Sequence, residues 1–104
     1  MADGAFAIDI RPLAKAALDA LRLFDRKRIM SAIETQLRYD PLSVSRNRKP
    51  LLGVRAGFHF EPPLWELRIG QYRALYDVDE AARAVQVRAV RYKGRGMTTE
   101  EVLR

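Results

Sequence analysis

The sequence has no cysteine and a single histidine, His59. Disulfides and thiolate metal sites are therefore excluded, and so is a metal site built on several histidines. His59 stands beside two phenylalanines and near a proline pair, the setting of a packed loop residue rather than a catalyst. No apolar run approaches the roughly 18 residues that a membrane helix needs. The N-terminal stretch MADGAFAIDI has no basic segment followed by an apolar block, so no secretory leader is expected. The expectation is a soluble, cytoplasmic protein without a membrane partner. Repeats and low-complexity segments are also missing. Acid is scarce in one place: residues 43–57 contain no Asp or Glu, while Arg46, Arg48, Lys49 and Arg55 fall within them.

What is present fits one domain spanning residues 1–104. The chain is 48% hydrophobic and 31% charged, a globular balance, and at this length roughly 60–70% of the unfolded surface can be buried. The net charge is +6 and it is unevenly placed. Residues 1–40 carry 7 basic and 6 acidic side chains, and residues 41–104 carry 12 and 7. The excess sits in the second half and favours a polyanionic partner, either nucleic acid or an acidic protein.

Periodicity supplies the elements. AFAIDI, residues 5–10, reads as a first strand. Pro12 suits a first helical turn, and residues 13–24 place Leu13, Ala17, Leu18, Leu21 and Phe24 at helical spacing. A break at residues 24–25, with Asp25 as cap, leads into a second helix over 26–38, with Ile29, Met30, Ile33 and Leu37 on one side. Asp40-Pro41 ends it. PLSVSRNRKP, residues 41–50, reads as a loop, and residues 51–63 hold at most a short strand or turn. Three strands follow at 64–69, 71–78 and 84–91. Their links are too short for crossover helices, so they form an antiparallel meander. Thr98 and Glu101 have capping-box spacing for a short terminal helix. The reading is α+β, β-α-α-β-β-β, with a helical hairpin on one face of a mainly antiparallel sheet and the other face open.

Strict alternation assigns the faces. Trp65, Leu67, Ile69, Tyr72, Ala74, Tyr76, Val78, Val85, Val87 and Ala89 turn to the helices. The open face collects Glu66, Arg68, Arg73, Asp77, Arg88 and Tyr92, with Arg91, Lys93 and Arg95 beside it. Arginine forks match phosphate oxygens, and a carboxylate, amine or phenol can carry protons. Those types suit metal-independent RNA cleavage, in which the 2′-hydroxyl attacks the adjacent phosphate. Cross-strand pairing of these arginines with Glu66 and Asp77 is the structural alternative.

WELRIGQYRALYDVD, followed by a turn and VQVRAVRYK, resembles the RelE/ParE superfamily of type II toxin–antitoxin toxins. The Tyr-Asp-Pro end of the helical hairpin, the basic loop with Leu-Leu-Gly and the ending GRGMTTEEVL are similar to a RelE-like subgroup. The resemblance covers nearly the whole chain. It implies a RelE-like microbial RNase-type fold, a ribosome-dependent mRNA endonuclease, and silencing by a cognate acidic antitoxin. Operator DNA would be met only through the antitoxin complex. It implies no cofactor and no metal. The same resemblance leaves room for a ParE-like DNA gyrase inhibitor, or for a non-toxic member that binds only its antitoxin. On the matching positions it implies that Arg73 contacts the scissile phosphate and that Glu66, Tyr92 and Lys93 complete the catalytic set. Arg68, Arg88, Arg91, Arg95, Arg46, Arg48 and Lys49 would then bind RNA phosphates. The chain has no histidine after its last strand and no lysine pair in the first meander strand, so Lys93 or Tyr92 would carry the proton.

Overall fold

The computed structural model describes residues 4–104; Met1, Ala2 and Asp3, the start of the stretch in which no leader is expected, lie outside the described residues. The elements are β1 (Ala7–Ile10), α1 (Pro12–Asp19), α2 (Leu23–Leu37), β2 (Arg48–Leu51), β3 (Leu64–Ile69), β4 (Tyr72–Asp79), β5 (Ala84–Tyr92) and α3 (Thr99–Leu103). The strands form one sheet in the order β1-β5-β4-β3-β2. β1 runs parallel to β5, and the other neighbours are antiparallel. This is the expected α+β architecture, with one more strand than the spacing predicts.

The helices depart from the spacing at their junction. The chain breaks at residues 20–22, not at 24–25. Arg22 is the N-cap residue of α2, and Asp25 sits in its first turn, paired with Arg22 at 2.9 Å. The physical reason for the early break is Arg26. Its guanidinium donates to the carbonyls of Leu18 and Asp19 in the last turn of α1 and of Leu21 in the link, which ties the turn to α2. Phe24 consequently leaves the apolar face and is 67% exposed. The rest of the stripe holds: Leu18, Ile29, Ile33 and Leu37 are buried against Trp65, Leu67, Ile69, Ala74 and Tyr76 of the sheet.

β2 falls within a stretch that reads as a loop. RKPL has no alternation and contains a proline, which a sheet tolerates only at an edge. β2 is an edge strand, with Lys49 opposite Glu66 and Pro50 opposite Trp65.

The second face of the sheet is not fully open. Leu51, Leu64, Leu75 and Ala89 form a second core there under Val102 and Leu103 of α3, with Phe58, Phe60 and Met97 alongside. The capping box closes the start of α3: Thr98 accepts from the Glu101 backbone and Glu101 accepts from the Thr98 backbone. That backbone hydrogen bond from Thr98 holds the Glu101 carboxyl below its ordinary value.

The largest correction concerns β5. Its register against β4 jumps from Leu75–Ala89 to Tyr76–Val87, leaving Arg88 without an opposite residue. This β-bulge reverses the alternation that follows it. Ala89 joins the second core and Val90 the helix-side core. Tyr92 therefore lies on the helix side, 5.6 Å from the Tyr72 ring, and not on the face assigned by strict alternation. Arg91 takes that place instead, opposite Arg73.

Tyr76 links this core to the basic segment. Its phenol is fully buried and donates to the Pro41 carbonyl at 2.6 Å, where the chain leaves α2. Burial pushes its pKa well above the ordinary 10.0. Tyr76→Phe is expected to cost about 1 kcal/mol, measured by urea denaturation at neutral pH. Above pH 10.0 the unfolded chain releases the Tyr76 proton while the folded chain keeps it. The folded form's advantage is thus complete below that pH and shrinks as pH climbs. Tyr76→Phe should lose less stability than the parent over the same alkaline range.

Candidate functional site

The end of the sheet beyond α3 stays uncovered, and the hairpin of β3 and β4 shapes it. Gly70, at φ +58°, makes the tight turn between the two strands. That left-handed conformation suits glycine because there is no Cβ to clash. The turn sets Arg68 directly opposite Arg73, and β5 sets Arg91 opposite Arg73. Three arginines thus share one cross-strand row, an arrangement in which like charges repel. On the next row of this face Lys49 stands opposite Glu66.

A cleft of about 160 Å³ opens here, lined by Ser45, Arg46, Asn47, Arg48, Lys49, Glu66, Arg68, Arg73 and Lys93. Six of these are cations and one is a carboxylate. Glu66 and Arg73 form its floor. The Glu66 side chain is 7% exposed and the Arg73 side chain 10%, with Arg73 Nε 3.9 Å from Glu66 Oε2. Arg73 also donates through Nη1 to the carbonyls of Gly70 and Tyr72, at 2.8 and 2.9 Å. These bonds fix one side of the guanidinium. Glu66 Oε2 is buried and accepts no hydrogen bond. A carboxylate oxygen so placed is expensive to keep, and functional sites are where such costs are found.

The remaining cations divide into two groups. Among the described residues, the side chains of Arg46, Lys49, Arg68 and Lys93 make no hydrogen bond or ion pair, and all four line the cleft. They are the groups free to meet an anion. Three of the other predicted phosphate ligands are occupied. Arg48 donates to the Ser43 and Gln36 carbonyls and to Gln36 Oε1, so its guanidinium fastens the basic loop to the end of α2. Arg88 is bound to Asp77 at 2.8 Å, away from the cleft. Arg91 donates to the Val102 and Arg104 carbonyls and lies over the Phe58 ring, which anchors α3. Arg95 is exposed and does not line the cleft. Tyr92 is outside it as well.

Sequence reasoning missed Ser45 and Asn47. Asn47 accepts through its carbonyl from the Arg68 backbone at 2.8 Å, which carries the loop past the end of β2 and against β3. A strand signal over residues 48–51 would have placed both, but proline masks it. Among the described residues, no three His, Asp or Glu side chains converge so as to hold a metal ion. The cleft thus gathers six cationic side chains around a single carboxylate at its floor.

No protein-family model matches the sequence, and no curated protein matches it. Solved structures do match the fold. The chain is similar to a chain of the archaeal RelE–RelB complex from Pyrococcus horikoshii OT3, at 20% identity and TM-score 0.68, over 88% of this chain and 99% of that one. It is similar to a chain of the RelBE2 toxin–antitoxin complex of Mycobacterium tuberculosis, at 22% identity and TM-score 0.68, over 88% and 95%. It is also similar to the isolated E. coli RelE toxin, at 19% identity and TM-score 0.66, over 88% of each chain. Both the sheet that builds the cleft and the helical hairpin behind it therefore have the RelE fold.

Proposed function

We propose that this chain is the toxin of a type II toxin–antitoxin system and that it cuts mRNA on the ribosome. The observation that carries the proposal is the pairing at the cleft floor: a buried carboxylate with an unpartnered oxygen beside an arginine held by its own backbone, ringed by four uncommitted cations. In this reading Arg73 offsets charge on the pentacoordinate phosphate. Glu66 takes the proton from the 2′-hydroxyl as that oxygen bonds to phosphorus. Lys93 gives a proton to the departing 5′-oxygen as its bond to phosphorus breaks. The products are a 2′,3′-cyclic phosphate and a 5′-hydroxyl. Arg46, Lys49 and Arg68 hold the flanking phosphates.

The cleft is small and entirely polar, so it can grip a backbone but cannot by itself align two nucleotides for in-line attack. A ribosome that presents the message in a fixed conformation supplies that alignment. This also places the action in the cytoplasm. An antitoxin with acidic segments is the partner that suits a net charge of +6, and it alone would bring the complex to operator DNA.

The test is addition of purified protein to a defined translation system, with primer extension on the message. The expected result is discrete cuts that depend on ribosomes. Intact message, together with gyrase–DNA adducts in a supercoiling reaction, would overturn the proposal.

A further inference from the structure

Two of the four uncommitted cations stand on a segment that apolar packing does not hold. Arg46 lies in the loop between α2 and β2, and Lys49 lies in β2, a four-residue strand at the edge of the sheet. The loop's own apolar side chains do not anchor it: Leu42 is 36% exposed and Val44 71%. A mobile loop would have to be ordered each time it met an anion, and that ordering weakens binding. What orders this loop beforehand is polar. The Ser45 backbone donates to the Arg48 carbonyl at 2.9 Å, and the Asn47 backbone donates to Ser45 Oγ at 3.2 Å. The far end is tied to β3 through the Asn47 carbonyl.

Residues 43–46 are placed from the other side, by Arg48 and Gln36. Gln36 is the penultimate residue of α2 and does not line the cleft. Arg48 Nη1 donates to Gln36 Oε1 at 2.8 Å and to the Gln36 carbonyl at 3.0 Å. That carbonyl is one of the acceptors a helix leaves open at its C-terminal end, where the helix dipole also favours a cation. Arg48 Nε donates to the Ser43 carbonyl at 3.1 Å, so the same guanidinium grips the loop. The Arg48 side chain is 11% exposed, and its backbone lies opposite Leu67 in β3. Helix, loop and sheet therefore meet at one guanidinium. Among the described residues, Gln36 supplies its one side-chain hydrogen-bond acceptor; Asp40 Oδ2 is farther off, at 3.7 Å.

We propose that Gln36 is a positioning residue for the cleft. It touches no substrate. Through Arg48 it holds the loop against the end of α2, so that Arg46 and Lys49 are already in place for the phosphates that flank the cut. This rests on the cleft reading given above. The reacting groups of that reading, Glu66, Arg73 and Lys93, stand on or beside other strands. Loss of the clamp therefore weakens binding and spares the chemical step, which raises KM and leaves kcat alone.

The experiment measures cutting of message against the concentration of programmed ribosomes, which separates KM from kcat. Gln36→Met keeps the length and helix propensity of the side chain and removes the acceptor. Gln36→Glu keeps the acceptor. Gln36→Met should raise KM about 3- to 10-fold, the scale of one hydrogen bond, with kcat unchanged, and Gln36→Glu should keep the parent KM. In a background carrying both Arg46→Ala and Lys49→Ala, Gln36→Met should add no further rise, because the cations it places are gone. An equal rise in both backgrounds would overturn the proposal, since Gln36 would then act on something other than those cations. So would a Gln36→Glu defect as large as that of Gln36→Met, and so would a fall in kcat with KM unmoved. A parent protein that cuts no message would overturn the cleft reading itself, and the role of Gln36 with it.

Discussion

Glu66→Gln is expected to lower the rate of message cleavage by about 10²- to 10⁴-fold, the contribution of a positioned general base, while leaving the protein as stable as before or more so. The two halves of this result have different causes. Glutamine keeps the shape of the side chain and loses its capacity to take a proton. It also removes a charge from a site that is 7% exposed, where one oxygen finds no donor and the nearest arginine nitrogen is 3.9 Å away. A carboxylate desolvated to that degree and paired so distantly is a cost to the fold. Loss of activity with retained or raised thermal stability is the signature of a residue kept for chemistry. Arg73→Ala should behave differently. It deletes the phosphate contact, about 10²- to 10³-fold in rate. It also takes away the one cation, among the described residues, within 4.0 Å of Glu66 and releases the Gly70 and Tyr72 carbonyls, so stability falls with activity. Cleavage rates in the translation assay, paired with melting curves of the same proteins, check both. If Glu66→Gln cuts at the parent rate, the base is another group and Glu66 is merely tolerated. If it cuts slowly but melts well below the parent, Glu66 contributes to the fold in a way its geometry does not show.

The contrast between these residues and their neighbours shows what a sequence can and cannot reveal about such a site. β3 and β4 obey the period of two, so Glu66, Arg68 and Arg73 could be assigned to one face from their spacing, and the glycine between the strands marked the turn. The capping box of α3 is equally local and equally readable. What alternation could not carry was the bulge at Arg88, which leaves no local mark: Ala89 and Val90 enter opposite cores just as Leu75 and Tyr76 do in β4. That slip moved Tyr92 off the cleft face and Arg91 onto it. The fate of each arginine was beyond reach for another reason. Arg48, Arg88 and Arg91 have the same chemistry as Arg46 and Arg68, and only tertiary packing decides which guanidinium meets a carbonyl or a carboxylate and which is left for an anion. β2 was hidden because the signal for an edge strand is weak and its proline argues against any strand.

The bulge itself is held by a lock that can be broken, and this gives the largest stability effect expected in the molecule. Asp77 is 4% exposed and Arg88 12%; Asp77 Oδ2 accepts from Arg88 Nε at 2.8 Å. The same oxygen accepts from the Glu61 backbone at 2.8 Å, so one carboxylate joins the bulged residue to the segment that precedes β3. Asp77→Ala removes the acceptor and leaves a guanidinium nearly buried without a partner. The expected cost is about 3–5 kcal/mol, a large part of the roughly 5–15 kcal/mol that holds a domain together. In a chain of this size that lowers the melting temperature by more than about 10 °C. Most of the cost comes from the orphaned charge, not from the lost attraction. The double variant Asp77→Leu with Arg88→Met should therefore recover most of the loss, because an apolar pair has no charge to desolvate. Urea denaturation of Asp77→Leu, Arg88→Met and the double variant measures the coupling directly. A single-variant cost below about 1 kcal/mol is the scale of an exposed ion pair; it would mean that water reaches this pair and that the bulge is held by Ala89 and Val90 packing into their two cores instead. The functional consequence follows from the strand. Arg91 reaches the carbonyls of α3, and the Tyr92 ring reaches Tyr72, only while the phase set at Arg88 persists.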